Sequence, residues 1–354
     1  MTVMSKMVFV AAALTCPGIL GAQWTRQPAG TDAEFRGLSV VSPSVVWASG
    51  TKGRIARTVN GGMTWTVDTV PGAATLDFRD IAAASATHAW AMSAGPAEQG
   101  QARIYRFDGG MQWTRRFATE EKGVFLDALK FWDDRHGIAM GDPVEGRLFL
   151  MITDDGGDTW RRVPTNDAPP MLPGEAAFAA SGTCLAVNGS SNVWIATGGG
   201  ERARVFRSTD RGHTWSVAAT PVHAGGSTSG IFSVAFTSAT RGVVVGGDYS
   251  RPRLSTNNVA LTNDGGATWR LARGALPQGY MSAVAYVPGT KGRSMVAVGL
   301  AGTARSSDGG ESWLMVDRVA YNSVAFASRE SGWAAGPDGR IAKWTPSTSR
   351  VTKP

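Results

Sequence analysis

Five carboxylates (Asp80, Asp127, Asp142, Glu175 and Asp248) and two arginine pairs (Arg202 with Arg204, and Arg251 with Arg253) are the side chains best placed to do chemistry in this chain. Two carboxylates flanking a glycosidic bond are all that glycoside hydrolysis requires, and such a pair leaves no local motif. Paired arginines suit carboxylate recognition through parallel hydrogen bonds, as in an acidic peptide segment or a uronic acid. Arg79 and Tyr249 complete the candidate binding set. Other chemistries lack their residues. His88, His136, His213 and His223 are scattered, without H-E-x-x-H or C-x-x-C, so no metal or haem site is expected. The stretch "TGGGER" (197 to 202) has neither G-K-[ST] nor G-x-G-x-x-G, so it reads as a strand connection, and no cofactor is expected.

A repeated framework positions these groups. "TDDGGDTW" (153 to 160) recurs as "TVNGGMTW" (58 to 65), "RFDGGMQW" (106 to 113), "STDRGHTW" (208 to 215), "TNDGGATW" (262 to 269) and "SSDGGESW" (306 to 313). Chemistry needs one copy, whereas architecture repeats. The third letter, Asn60, Asp108, Asp155, Asp210, Asp264 or Asp308, can accept hydrogen bonds from backbone N–H groups ahead of it, and the following glycine takes the positive φ of a tight reversal. The last letter, Trp65, Trp113, Trp160, Trp215, Trp269 or Trp313, opens the next strand and wedges a large ring between sheets. These residues are expected to be structural, and the carboxylate spacing around Asp155 does not fit a calcium loop.

Successive box tryptophans lie 48, 47, 55, 54 and 44 residues apart, the length of a four-stranded propeller blade. First strands recur as "FRGLSVV" (35 to 41), "FRDIAAA" (78 to 84), "IFSVAFT" (231 to 237), "SAVAYVP" (282 to 288) and "YNSVAFA" (321 to 327). A seventh unit reaches "GRIAKWTP" (339 to 346) and stops without a fourth strand, which "QWTRQP" (23 to 28) can supply. The expectation is an all-β, seven-bladed propeller over 23–348, its last blade closed by the N-terminal strand, with a C-terminal tail over 349–354. The longest repeats put extra length around blade four, in 166–178, 198–204, 220–230 and 247–258, on the face opposite the boxes. Long polar loops on a rigid scaffold are where binding concentrates. Four guanidiniums are expected side by side there, flanked by Asp142, Asp248 and Glu175.

Lys6, the apolar run 7–14 and the small residues Gly21-Ala22 read as a signal peptide over 1–22, which predicts a periplasmic or secreted protein. No later run is long enough for a membrane helix. Cleavage leaves Cys184 alone, with no intrachain disulfide to make. The formal charge of +7 falls by one with Lys6, and no basic run is interleaved with aromatics, so nucleic acid is not an expected partner and a monomer is.

The boxes resemble the Asp-box, or BNR, repeats of sialidase-like propellers. The fuller unit, "GWAAGPDGRIA" (332 to 342) with "GVVVGGDY" (242 to 249) and "TNDGGATW", resembles the bacterial relatives of the photosystem II stability/assembly factor. The resemblance implies an exported propeller whose photosynthetic relatives act as non-catalytic assembly chaperones and carry an arginine patch. Some relatives are described as oxidoreductases, a chemistry no residue here supports. "GRIA" at 53 to 56 lacks the proline of the sialidase R-I-P stretch. The expectation is a non-catalytic binder of a protein or peptide, an assembly or stability factor for envelope complexes. The alternative is a carbohydrate-active propeller, lectin or glycoside hydrolase. An aromatic-lined acidic pocket would favour sugar, and a broad basic face would favour protein.

Overall fold

The structure is a computed structural model that describes residues 24–345 except Met111. The signal segment, Gln23 and the tail lie outside the described residues.

Alternating apolar letters in short runs, separated by glycine-rich turns, give four-stranded antiparallel sheets, and there are seven of them. Blades one to six use four consecutive strands each. Blade seven takes Ser323–Phe326, Gly332–Ala335 and Ile341–Trp344 from the end of the chain. Its fourth strand is Trp24–Gln27, paired antiparallel with Trp24 opposite Trp344. First strands of neighbouring blades touch all the way round, so the ring is closed and these strands line the axis. Closure leaves no open sheet edge at the join.

The core is a set of apolar seams at the blade interfaces. Each box tryptophan packs into one. Trp65 packs between blades seven and one, with Trp333 edge-on at 5.7 Å, and Trp113 packs between one and two, 6.0 Å from Trp47. Trp160, Trp215, Trp269 and Trp313 fill the next four seams in order, and Trp24 with Trp344 fills the seam between blades six and seven.

At the turns before these tryptophans, Asp155 Oδ1 accepts from the Thr159 N–H (3.0 Å) and from Thr153 Oγ1 (2.8 Å), while Thr153 Oγ1 accepts from the Gly157 N–H (2.8 Å). Asp210, Asp264 and Asp308 repeat the pattern, and Asn60 accepts from the Thr64 N–H at 3.0 Å. Asp108 departs from it. Arg106 and Gln112 replace the two hydroxyl residues of this copy, and Asp108 pairs with Arg106 Nε (2.6 Å) and Arg116 (3.5 Å). The glycine has a second duty beyond its φ of +79°: a Cβ on Gly157 would lie 2.6 Å from Nε1 of Trp90 in the preceding blade, which donates to the Gly156 carbonyl. Turn and neighbouring indole are thus fitted to each other.

Candidate functional site

The connection from blade three to blade four crosses the channel instead of skirting the rim. Residues 176–183, "AAFAASGT", form a plug whose small side chains let the backbone approach six blades. The Ala177 N–H donates to Asp142 Oδ1 in blade three (3.2 Å), and the Ala180 carbonyl accepts from Arg36 Nη1 in blade one (3.3 Å). The Ala179 carbonyl accepts from Arg79 Nη1 in blade two at 3.5 Å. Ser181 Oγ donates to the Ser282 carbonyl in blade six (2.9 Å), and Thr183 Oγ1 to Ser233 Oγ in blade five (2.8 Å), before the chain enters blade four. Gly182 is forced by its surroundings, since a Cβ there would overlap the Asp80 carboxylate.

Above the plug lies a cavity of about 440 Å³ on the face opposite the boxes. Four of its residues arrive there by one device. The first strands of blades one, two, three and five each slip register by one residue, between Phe35 and Gly37, Phe78 and Asp80, Leu126 and Ala128, and Ile231 and Ser233. The extra residues are Arg36, Arg79, Asp127 and Phe232, and all four line the cavity. A bulge re-aims the inserted side chain, here toward the axis.

The two guanidiniums are already engaged. Arg36 Nη2 pairs with Glu34 Oε1 at 2.6 Å and Arg79 Nε with Asp77 Oδ2 at 2.7 Å. The two carboxylates are not so matched. Burial, then the neighbouring Asp142 charge, push the Asp127 carboxyl well up from its ordinary range, against the pull of Arg79 and the Ala179 N–H. Among the described residues no donor reaches Asp127 Oδ2. Burial raises half-buried Asp142 to about 6, opposed by the Ala177 N–H. Aromatic rings form the remaining wall. Phe178 of the plug stacks on Phe232 at 4.0 Å, Tyr280 meets Phe232 edge-on at 4.6 Å, and Tyr249 stands edge-on to Phe232 at 6.0 Å. Phe232 and Tyr280 are buried, whereas Tyr249 and Leu300, on the hairpins of blades five and six, are exposed at 46% and 42%. A second, open depression of about 620 Å³, lined by Pro143, Met171, Leu172 and Pro173, shares Asp142 and Ala176 with the first.

The structure brings Arg79, Asp142 and Tyr249 together at this cavity, along with Asp127. It places the other expected residues elsewhere. Glu175 is buried and accepts from Arg204 Nε (2.9 Å), Thr197 Oγ1 (2.5 Å) and the Leu172 N–H (2.8 Å), with Arg204 Nη2 closing a bidentate pair. Arg204 also lies over the Phe206 ring, so it anchors the plug's approach and is absent from the rim. Burial would raise the Asp248 carboxyl, but hydrogen bonds from Ser250, Arg251 and Thr228 outweigh it and hold the group below its usual range. Asp248 thereby ties down its own hairpin, with Arg251 paired to it at 2.8 Å. Arg202, 3.5 Å from Glu201, and Arg253 are exposed. The four guanidiniums expected side by side are therefore not an unpaired patch: Arg204 is held in a buried pair, and Arg251 and Arg202 each lie beside a carboxylate that has no other cation. Asp80 is buried beneath the plug, accepting from the Ile81 and Leu129 N–H groups and from Lys130 Nζ (2.8 Å), and it joins blade two to blade three.

Arg36, Phe178, Phe232, Tyr280 and Leu300 were missed from sequence. Their signal was present in part: Arg36 and Arg79 are the second letters of "FRGL" and "FRDI", polar residues in strands that otherwise face the core. Among the described residues no helix is long and apolar enough to cross a membrane.

A seven-bladed propeller with a plugged axis and a mixed polar and aromatic mouth is the class that fold and site define. The chain matches no protein-family model and no curated protein. Solved structures match it throughout. YCF48 bound to D1 peptide superposes with a TM-score of 0.65 at 14% identity, covering 96% of this chain and 100% of that one. YCF48 from Cyanidioschyzon merolae gives 0.62 at 18% identity, covering 92% and 99%. The GH74 xyloglucanase from Xanthomonas campestris gives 0.61 at 17% identity, covering 91% of this chain and 53% of that one. At these identities the likeness shows the shared fold.

Proposed function

We propose that this chain is a non-catalytic propeller that binds a peptide segment of a partner protein in the cavity over the plug. The observation that carries the reading is the pair Tyr249 and Leu300, two exposed apolar side chains on adjacent hairpins beside a pocket that offers both hydrogen-bond donors and acceptors. An extended peptide presents N–H groups, carbonyls and apolar side chains together, and the second depression continues the path beyond Asp142. Apolar residues left exposed at a concave polar site mark an interaction surface. The likeness to YCF48 in complex with a peptide supports the same reading. Export through the first 22 residues would place this binder in the periplasm or outside the cell, where an assembly or stability role for envelope complexes fits. Sequencing the N-terminus of the mature protein checks the export.

A second reading, carbohydrate binding or hydrolysis, draws support from the aromatic wall and from the carboxylates, Glu34, Asp77, Asp127 and Asp142 against Arg36 and Arg79. Against it, among the described rings lining the cavity only Tyr249 is exposed for a sugar to stack on, and Asp127 is 1% exposed, out of reach of a glycosidic oxygen. Panning a peptide-display library and screening an oligosaccharide array with the same protein separates the two. The account expects selected peptides whose binding falls at least tenfold in Tyr249→Ser/Leu300→Ser, and glycan binding without peptide binding would replace it with the second reading.

A further inference from the structure

The charges around the cavity do not balance, and the imbalance is local. The charge of Arg36 is paired with Glu34 and that of Arg79 with Asp77, each within its own blade, although Arg36 Nε and Asp77 Oδ1 have no partner among the described residues. Asp80 has Lys130, and Glu175, next to the plug, has Arg204. What remains is Asp127 and Asp142, two neighbouring carboxylates on adjacent strands of blade three, with no cation of their own beyond the field of Arg79. Asp127 is nine-tenths buried and more, it lines the cavity, and its Oδ2 has no donor among the described residues. A buried carboxylate is retained only with a partner, and two side by side require either a proton or an incoming positive charge.

We propose that Asp127 and Asp142 form a subsite for the cationic group of a bound peptide: a lysine or arginine side chain, or a free amino terminus. This rests on the peptide reading above and specifies which peptides are taken. The apolar stem of a lysine would run along Tyr249 and Phe178 while its ammonium meets Asp142, with Asp127 supplying the second negative charge behind it. An acidic segment is disfavoured, because the arginines facing the cavity already hold carboxylates. Proton and ligand cation compete for the same pair: binding sends the pair's proton to solvent, so affinity rises with pH through the range in which Asp142 ionises. The other titratable groups facing the pair are Arg79 and Asp77 from blade two, Arg36 and Glu34 from blade one, buried Cys184 and the Asp80–Lys130 pair beneath, and Tyr249 and Tyr280 opposite. Asp142 is the group among them that burial brings to about 6.

The test uses three blocked hexapeptides identical but for one central residue, lysine, norleucine or glutamate, titrated calorimetrically into the mature protein at pH 7.5 and pH 5. The lysine peptide should bind at least tenfold tighter than the other two at pH 7.5, and its advantage should shrink severalfold at pH 5. Asp142→Asn, a half-exposed and isosteric change, should abolish the preference even if the buried Asp127→Asn fails to fold. Equal binding of the norleucine peptide, or a preference that survives in folded Asp142→Asn, overturns the cation subsite and leaves peptide binding standing. Failure of all three peptides to bind at pH 7.5 counts against the peptide reading and the subsite together.

Discussion

Glu175 and Arg204 form a salt bridge removed from solvent, with both carboxylate oxygens engaged and the guanidinium laid over Phe206. The pair ties the segment entering the plug to the third strand of blade four. Removing one partner strands a buried charge, so Arg204→Ala should cost about 3–5 kcal/mol. Exposed Arg202→Ala should change stability by less than about 0.5 kcal/mol. Denaturant melts of the two variants check the contrast, and equal midpoints would return Arg204 to the surface.

Removal of the chain through Gln27 should destabilise blade seven. Trp24 is buried, meets Trp344 edge-on at 4.9 Å and donates to Thr303 Oγ1 at 3.0 Å, so its ring also links blade seven to blade six. Trp24→Ala alone should cost about 3–5 kcal/mol. The truncated protein should melt lower still, by calorimetry, than that point variant.

At the turns, backbone fit should outweigh the acceptor. Asp155→Ala removes exposed hydrogen bonds at a cost of about 1 kcal/mol. Gly157→Ala adds a side chain at φ +79° and drives it into Trp90, so it should cost about 3 kcal/mol. Peptide binding should survive in both, since the turns lie on the opposite face. Burial would raise Asp155, but hydrogen bonds from Thr159 and Thr153 hold it at about 2, so its contribution is present above the ordinary carboxylate range and lost as pH falls toward 2.

Asp142 behaves in the opposite sense. Its folded carboxyl binds a proton more tightly than the unfolded one, so the protein carries no penalty from it below about pH 4 and loses stability as pH rises through about 6. Asp142→Asn should therefore melt higher than wild type at pH 8 and alike at pH 4. Coincident melts at both pH values would contradict the raised carboxyl.

The propeller was legible because its signals are local and repeated: a turn residue, a glycine and a tryptophan at fixed spacing, and a terminal strand with nothing else to pair with. The site was only partly legible. Arg79, Asp127, Asp142 and Tyr249 stand out as polar or aromatic letters near strand ends, but Arg79 and Asp127 reach the cavity, with Arg36 and Phe232, only through a one-residue bulge in each of four first strands, whose position the letters "FRGL" and "FRDI" do not fix. The sequence places Glu175 and Arg204 in loops of the right blade, yet whether two opposite charges meet each other or a ligand depends on the path of the intervening segment. "AAFAASGT" reads as a loop, and its smallness has meaning only once six blades crowd around it.

The central claim is that the cavity over the plug, and no other surface, takes a peptide. Hydrogen–deuterium exchange of the mature protein, with and without a display-selected peptide at saturation, tests it most directly. The account predicts added protection in 176–183, around Tyr249 and Leu300, and at the bulges of Arg36 and Arg79, with the box turns unchanged. Protection confined to the box face or to the outer strands, with the plug and its mouth unaffected, would contradict it.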